Sequence, residues 1–154
     1  MRRVHRAAAA SLGLLLVTSL TACASETDSY CEDLQAQKQK LADLALESGK
    51  PGKDVLGQTL DVWRDLRDKA PGDIEDEWTT LVFALEGLVD AFHQAGTTPD
   101  KFNPASPPPG VSKQEAQNLR DAAAELASER VRKAGDAVEQ HARDVCKVDL
   151  GLSS

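Results

Sequence analysis

Ile74, Trp78, Leu81, Leu85, Leu88 and Phe92 recur in alternating steps of four and three. Such a stripe lies along one face of an α-helix, and its apolar side must be covered by other elements. Val82 and Val89 widen the same face. Asp73 is placed to cap this helix, and Gly96 to end it. Whatever else the chain does, it must supply partners for this segment.

The rest of the sequence repeats the pattern. Ser29-Tyr30-Cys31-Glu32 fits a capping box, and Tyr30, Leu34, Leu41, Leu44 and Ala45 follow at helical spacing to about Glu47. Ser48-Gly49-Lys50-Pro51-Gly52 stops that helix. Asp54 then caps a helix to about Ala70, with Leu56, Leu60, Trp63, Leu66 and Ala70 as its stripe and Val55 and Val62 beside it. Pro71-Gly72 breaks it before the helix that begins at Asp73. A longer connection, Thr97 to Gly110, holds Pro99, Pro104 and Pro107-Pro108-Pro109. Ser112-Lys113-Gln114-Glu115 is a second capping box, opening a long helix to about Val145 that Gly135 is placed to kink or to split in two. No strand pattern or tandem repeat is visible. The fold class expected is all-α, an antiparallel up-down-up-down four-helix bundle.

The N-terminus reads differently. Arg2, Arg3 and Arg6 precede an apolar run from Ala7 to Val17, and Leu20-Thr21-Ala22-Cys23 follows. This arrangement resembles the signal peptide and lipobox of bacterial lipoproteins. The resemblance implies diacylglyceryl attachment to Cys23, cleavage before it, and anchoring to the outer face of the cell membrane. Paired acyl chains hold stably where one alone is marginal, each buried CH₂ contributing about 0.8 kcal/mol. A membrane-spanning reading fits less well, because the run is short and carries Ser11, Thr18, Ser19 and Thr21. From Tyr30-Cys31 through Leu41, and at Val145-Cys146, the chain also resembles small helical lipoproteins of high-GC Gram-positive bacteria. That likeness implies no activity. The expected division is a signal peptide over 1–22, a lipidated tether over 23–28, a helical domain over 29–147 and a tail over 148–154.

Lipidation of Cys23 leaves Cys31 and Cys146 as an even pair in an oxidising compartment. Their bridge is the expected disulfide, worth about 4–5 kcal/mol in the chain-entropy model, less any strain. An up-down bundle brings the start of its first helix and the end of its fourth to one end, so the parity and the topology agree. That end then lies near the lipid, and the Gly49–Lys53 and Thr97–Gly110 loops point away. Cleavage removes three of 18 basic residues and none of 25 acidic ones, leaving 15 against 25 and a net charge of −10 over 132 residues. That balance argues against nucleic acid as a partner.

Candidate chemistry is sparse. His93 and His141 fall toward opposite ends and cannot share a metal; both read as surface or boundary residues, and no metal or other cofactor is expected. Asp73, Glu75, Asp76 and Glu77 suit a helix N-terminus better than a cation site. Asp61, Asp65 and Asp68 interleave with Arg64, Arg67 and Lys69 as a solvated face. Trp63 and Trp78 lie on apolar stripes and read as core, with a ligand pocket as the alternative. The Pro104–Pro109 run reads as a stiff spacer, with a PxxP ligand as the alternative. No nucleophile–base or phosphate-loop arrangement is evident, so the chain reads as non-enzymatic. The expected role is a binding or protein-interaction module, with an envelope protein as candidate partner; the alternative is a carrier of a small apolar ligand inside the bundle. Phe102, Pro107 and Pro108 are the candidate contact residues, Phe102 having no helical stripe to join. The competing role for Phe102 is a lid packed onto the bundle.

Overall fold

A computed structural model describes residues 20–150, with side chains from residue 26 onward. The expected signal peptide and the side chains of the Leu20–Cys23 lipobox therefore lie outside the described residues. Among the described residues five helices follow one another: α1 Leu20–Glu47, α2 Val55–Arg67, α3 Glu75–Gln94, α4 Lys113–Leu126 and α5 Glu129–Asp144. No strand occurs among the described residues, and no helix there is long and apolar enough to cross a membrane.

The central element is α3, which packs against α2, α4 and α5, while α1 packs against α2. Its stripe is buried as the spacing requires: Trp78, Leu81, Leu85 and Leu88 are all inside, with Val82 and Val89. The core is arranged in layers along this helix. At one end Trp78, Leu81 and Ala84 meet Tyr30 and Leu34 of α1, Val62 and Leu66 of α2, and Val131, Val138 and Ala142 of α5. In the middle Val82, Leu85 and Val89 meet Leu60. At the other end Leu88, Ala91 and Ala95 meet Leu119 of α4, with Phe92 and Phe102 packed against them.

The Cys31–Cys146 disulfide joins α1 to the segment after α5 at the first of these ends, with the two Cα atoms 5.0 Å apart. The same end holds three further links. Trp78 Nε1–H donates to the Tyr30 hydroxyl at 2.8 Å. The Tyr30 and His141 rings meet edge-on at 5.7 Å. Lys69 pairs with Asp33 at 2.8 Å. Arg64 bonds Glu86, tying α2 to α3 along their length.

Four details differ from the sequence reading. The expected fourth helix is two helices, so the arrangement is five-helical rather than a four-helix bundle. The break falls at Ala127-Ser128, not at Gly135: Ser128 is extended, and its side chain accepts from the Val131 N–H to start α5. The physical reason is visible in the stripe. Leu126 and Val131 are five apart, and at 3.6 residues per turn a continuous helix would rotate Val131 about 140° away from Leu126. Breaking the helix keeps the inner faces of both halves on α3, and leaves Ala123 and Val145, expected inside, exposed.

The second difference is at the start. The helix α1 runs through Ala24–Asp28, expected as a tether, so Ser29 sits inside it and caps nothing. Third, Asp73 does not cap α3. Ile74 occupies that position without a side-chain bond, and its N–H is taken by the Pro71 carbonyl at 3.0 Å. Burial of Ile74 beneath the turn decides the entry, while Glu75, Asp76 and Glu77 in the first turn favour the helix dipole. Fourth, α2 stops at Arg67, three residues short of Ala70, in a turn leading to Pro71. The Asp54 cap and the Ser112–Glu115 capping box form as the sequence indicates.

Candidate functional site

Where α1 gives way to α2 and α3 to the long connection, two loops lie side by side and enclose a cleft of about 510 Å³. That volume falls in the range of small-molecule sites. Its apolar floor is Leu56 of α2 with Val89 and Phe92 of α3. One wall is Pro51, Gly52, Lys53 and Asp54; the other is His93 with Thr97 to Lys101.

Local chemistry fixes both walls. Gly52 has a φ of +75°, a conformation that glycine adopts without strain. Asp54 then accepts from the Gly57 N–H at 2.9 Å and opens α2. Gly57 leaves room for this cap, since a Cβ there would stand 2.4 Å from an Asp54 carboxylate oxygen. On the other side Gly96 ends α3 with a φ of +59°. The Thr98 carbonyl next accepts from both Lys101 N–H and Phe102 N–H at 3.0 Å, folding Thr98–Phe102 into a tight turn.

The turn presents Asp100 to the first wall. A hydrogen bond from the Thr98 side chain, then its own backbone N–H, the Lys101 ammonium and the Gly52 N–H, hold the Asp100 carboxyl below the usual carboxylate range. Lys53 reaches outward to Glu47 at 3.2 Å.

The expected contact residues are arranged differently. Phe102 packs inward, its ring edge-on to Phe92 at 6.0 Å, within the layer of Leu88 and Leu119. It closes the end of the core and supports the cleft from below. Pro107 is exposed and Pro108 half-buried, and neither lines the cleft. Of the long connection it is Thr97–Lys101 that contributes. Lys53, Asp54, Leu56 and Asp100 were not singled out from sequence as site residues, and His93 was read as an ordinary surface position. The available signal was that both loops were expected at one end of the bundle.

The tryptophans are core. Trp78 is 2% exposed with its N–H satisfied, and Trp63 stacks edge-on against it at 6.4 Å. His141 is deeper than a boundary residue: both ring nitrogens are buried without a hydrogen-bond partner, and the nearest carboxylate, Asp73, stands 3.6 Å from Nε2. Comparison with protein-family models, curated proteins and solved structures found no match to this chain.

Proposed function

We propose that this chain is an extracytoplasmic lipoprotein, anchored through Cys23, that acts as a non-enzymatic binding module and receives its ligand in the cleft between the two loops. The cleft carries the reading. It is concave, apolar at its floor and polar at its rim, the usual composition of a small-molecule site. It lies at the end of the fold opposite the disulfide, and Cys23 is only eight positions before Cys31. An anchor at Cys23 therefore leaves the cleft facing away from the lipid. The disulfide itself supports an oxidising compartment.

A carrier holding its ligand inside the bundle has less support, because Trp63, Trp78 and Tyr30 fill the space beside one another.

Two measurements test the proposal. Intact mass of the exported protein should show a chain beginning at a diacylated Cys23, and Cys23→Ala should abolish detergent partitioning; an unmodified Cys23 after export overturns the anchor. Native mass spectrometry of protein purified from membranes should detect a bound small molecule that His93→Trp, which fills the cleft from an exposed position, displaces without lowering the melting temperature. Retention of the molecule by that variant overturns the cleft as the site.

A further inference from the structure

We infer that the outer face of α3, centred on Phe83, is a docking surface for a basic protein segment that presents an apolar socket among lysines or arginines. This face is separate from the cleft and does not depend on it. Phe83 stands two residues from both Leu81 and Leu85, and so about 200° round the helix from each. Those two leucines face the core, so Phe83 faces outward, and it is 63% exposed. No other phenylalanine, tyrosine or tryptophan among the described residues is exposed. Gly87, one turn further on, is exposed too, and a Cβ there would meet nothing within 4 Å, so no neighbouring element covers the helix at that point. Asp76 and Asp90, seven positions before and after Phe83, share its face and are exposed.

A lone apolar side chain on a surface needs no partner. The charge around this one specifies what fits it. Helix α3 carries Glu75, Asp76, Glu77, Glu86 and Asp90, and neither lysine nor arginine. Three cations reach it from neighbouring helices. Arg64 of α2 bonds Glu86, and Arg130 and Lys133 of α5 line a notch of about 240 Å³ with Asp76, Glu77 and Thr80. Each cation brings a carboxylate of its own: Asp61 lies 4.0 Å from Arg64, Glu125 is 2.5 Å from Arg130, and Glu129 is 2.8 Å from Lys133. The neighbours therefore add no net charge, and the five carboxylates of α3 remain in surplus. The result is an exposed aromatic knob in a negative field. Aromatic side chains are enriched at protein interfaces, and complementary potential selects the partner. A cationic segment gains from this field, whereas an acidic or purely apolar one does not.

The test uses three helical peptides of equal length: an amphipathic leucine–lysine peptide, the same peptide with glutamate for lysine, and a serine–lysine peptide of the same charge. Each is titrated into the oxidised protein and followed by heteronuclear NMR. The leucine–lysine peptide should shift the resonances of Thr80, Phe83 and Gly87, and bind about tenfold more tightly than either of the others, the scale of burying one aromatic side chain. Added salt should weaken it. Phe83→Ser, at an exposed position, should keep the melting temperature and remove the advantage over the serine–lysine peptide. Asp90→Asn should weaken both lysine peptides alike. If the glutamate peptide binds as tightly, the charge argument is wrong. If the leucine–lysine peptide shifts other resonances and leaves Phe83 and Gly87 unmoved, or binds Phe83→Ser as well as the native chain, this face is not the docking surface.

Discussion

Replacing Tyr30 with phenylalanine removes one oxygen from a core in which its role is well defined. Tyr30 is fully buried and Trp78 is 2% exposed. In the native protein the phenol oxygen accepts the indole N–H at 2.8 Å. Tyr30→Phe keeps the ring and its edge contact with His141 but leaves the Trp78 N–H without an acceptor in a site water does not reach. An orphaned buried donor destabilises by about 1–3 kcal/mol, so a loss near 2 kcal/mol is expected. That is a substantial share of the roughly 5–15 kcal/mol by which domains are stable. The assay is urea unfolding of the oxidised protein followed by circular dichroism, with the denaturant slope unchanged. A double-mutant cycle with Trp78→Phe isolates the pair, since the cavity left by the indole cancels. A loss below about 0.5 kcal/mol refutes the reasoning, because a satisfied donor does not cost that little to orphan.

The same residue makes a pH prediction. Burial is the main cause raising the Tyr30 phenol above its ordinary 10.0; the Trp78 N–H opposes it, and Asp73 adds to it. The folded state therefore holds this proton more tightly than the unfolded chain. Its contribution to stability is complete below pH 10.0 and is lost as pH rises through the folded-state value. The chain has a single tyrosine, so tyrosinate absorbance reports this group alone. Its native midpoint should lie above that in urea, and Tyr30→Phe should flatten the alkaline fall in stability. A native midpoint at or below the unfolded one contradicts the burial argument.

Other outcomes are equally checkable. The Cys31→Ser/Cys146→Ser double variant should lose about 4–5 kcal/mol in urea unfolding, the chain-entropy value for a loop whose ends are 115 positions apart. His141→Phe should gain about 1–2 kcal/mol, since it keeps a ring against Tyr30 and removes two buried nitrogens that lack partners; a destabilised variant would show that the imidazole holds a partner. Ser128→Ala should lose about 1 kcal/mol by removing the cap of α5, whereas Gly135→Ala, inside α5 with open space around its Cβ, should raise the melting temperature.

Periodicity made most of the framework readable. The α3 stripe, the Asp54 cap, the Ser112–Glu115 box and the Gly96 stop are local features, each set by residues within a turn or two of one another. The break at Ser128 was also written in the sequence, as the five-residue step from Leu126 to Val131 beside a capping residue. Gly135, though glycine is a weak helix former, lies inside α5 and interrupts nothing. Asp73 shows the opposite case: a residue suited to cap a helix was overruled by burial of Ile74 beneath the Pro71 turn.

The Cys31–Cys146 disulfide was reached from the sequence by two assumptions, lipidation of Cys23 and an even number of helices; the disulfide forms although the helices number five among the described residues. The cleft was not within reach of the sequence. Its floor comes from residues on α2 and α3 that read as ordinary stripe members, and its walls from two loops separated by the length of two helices. Nothing in either loop states how far Asp100 stands from the Gly52 N–H, or that Phe102 turns inward to Phe92 and leaves Lys101 on the rim. Helix and cap formation follow from interactions between near neighbours along the chain, which a linear sequence displays directly. A cleft is the space remaining after distant segments have packed, so its shape and its charge exist only once the helices have chosen their partners.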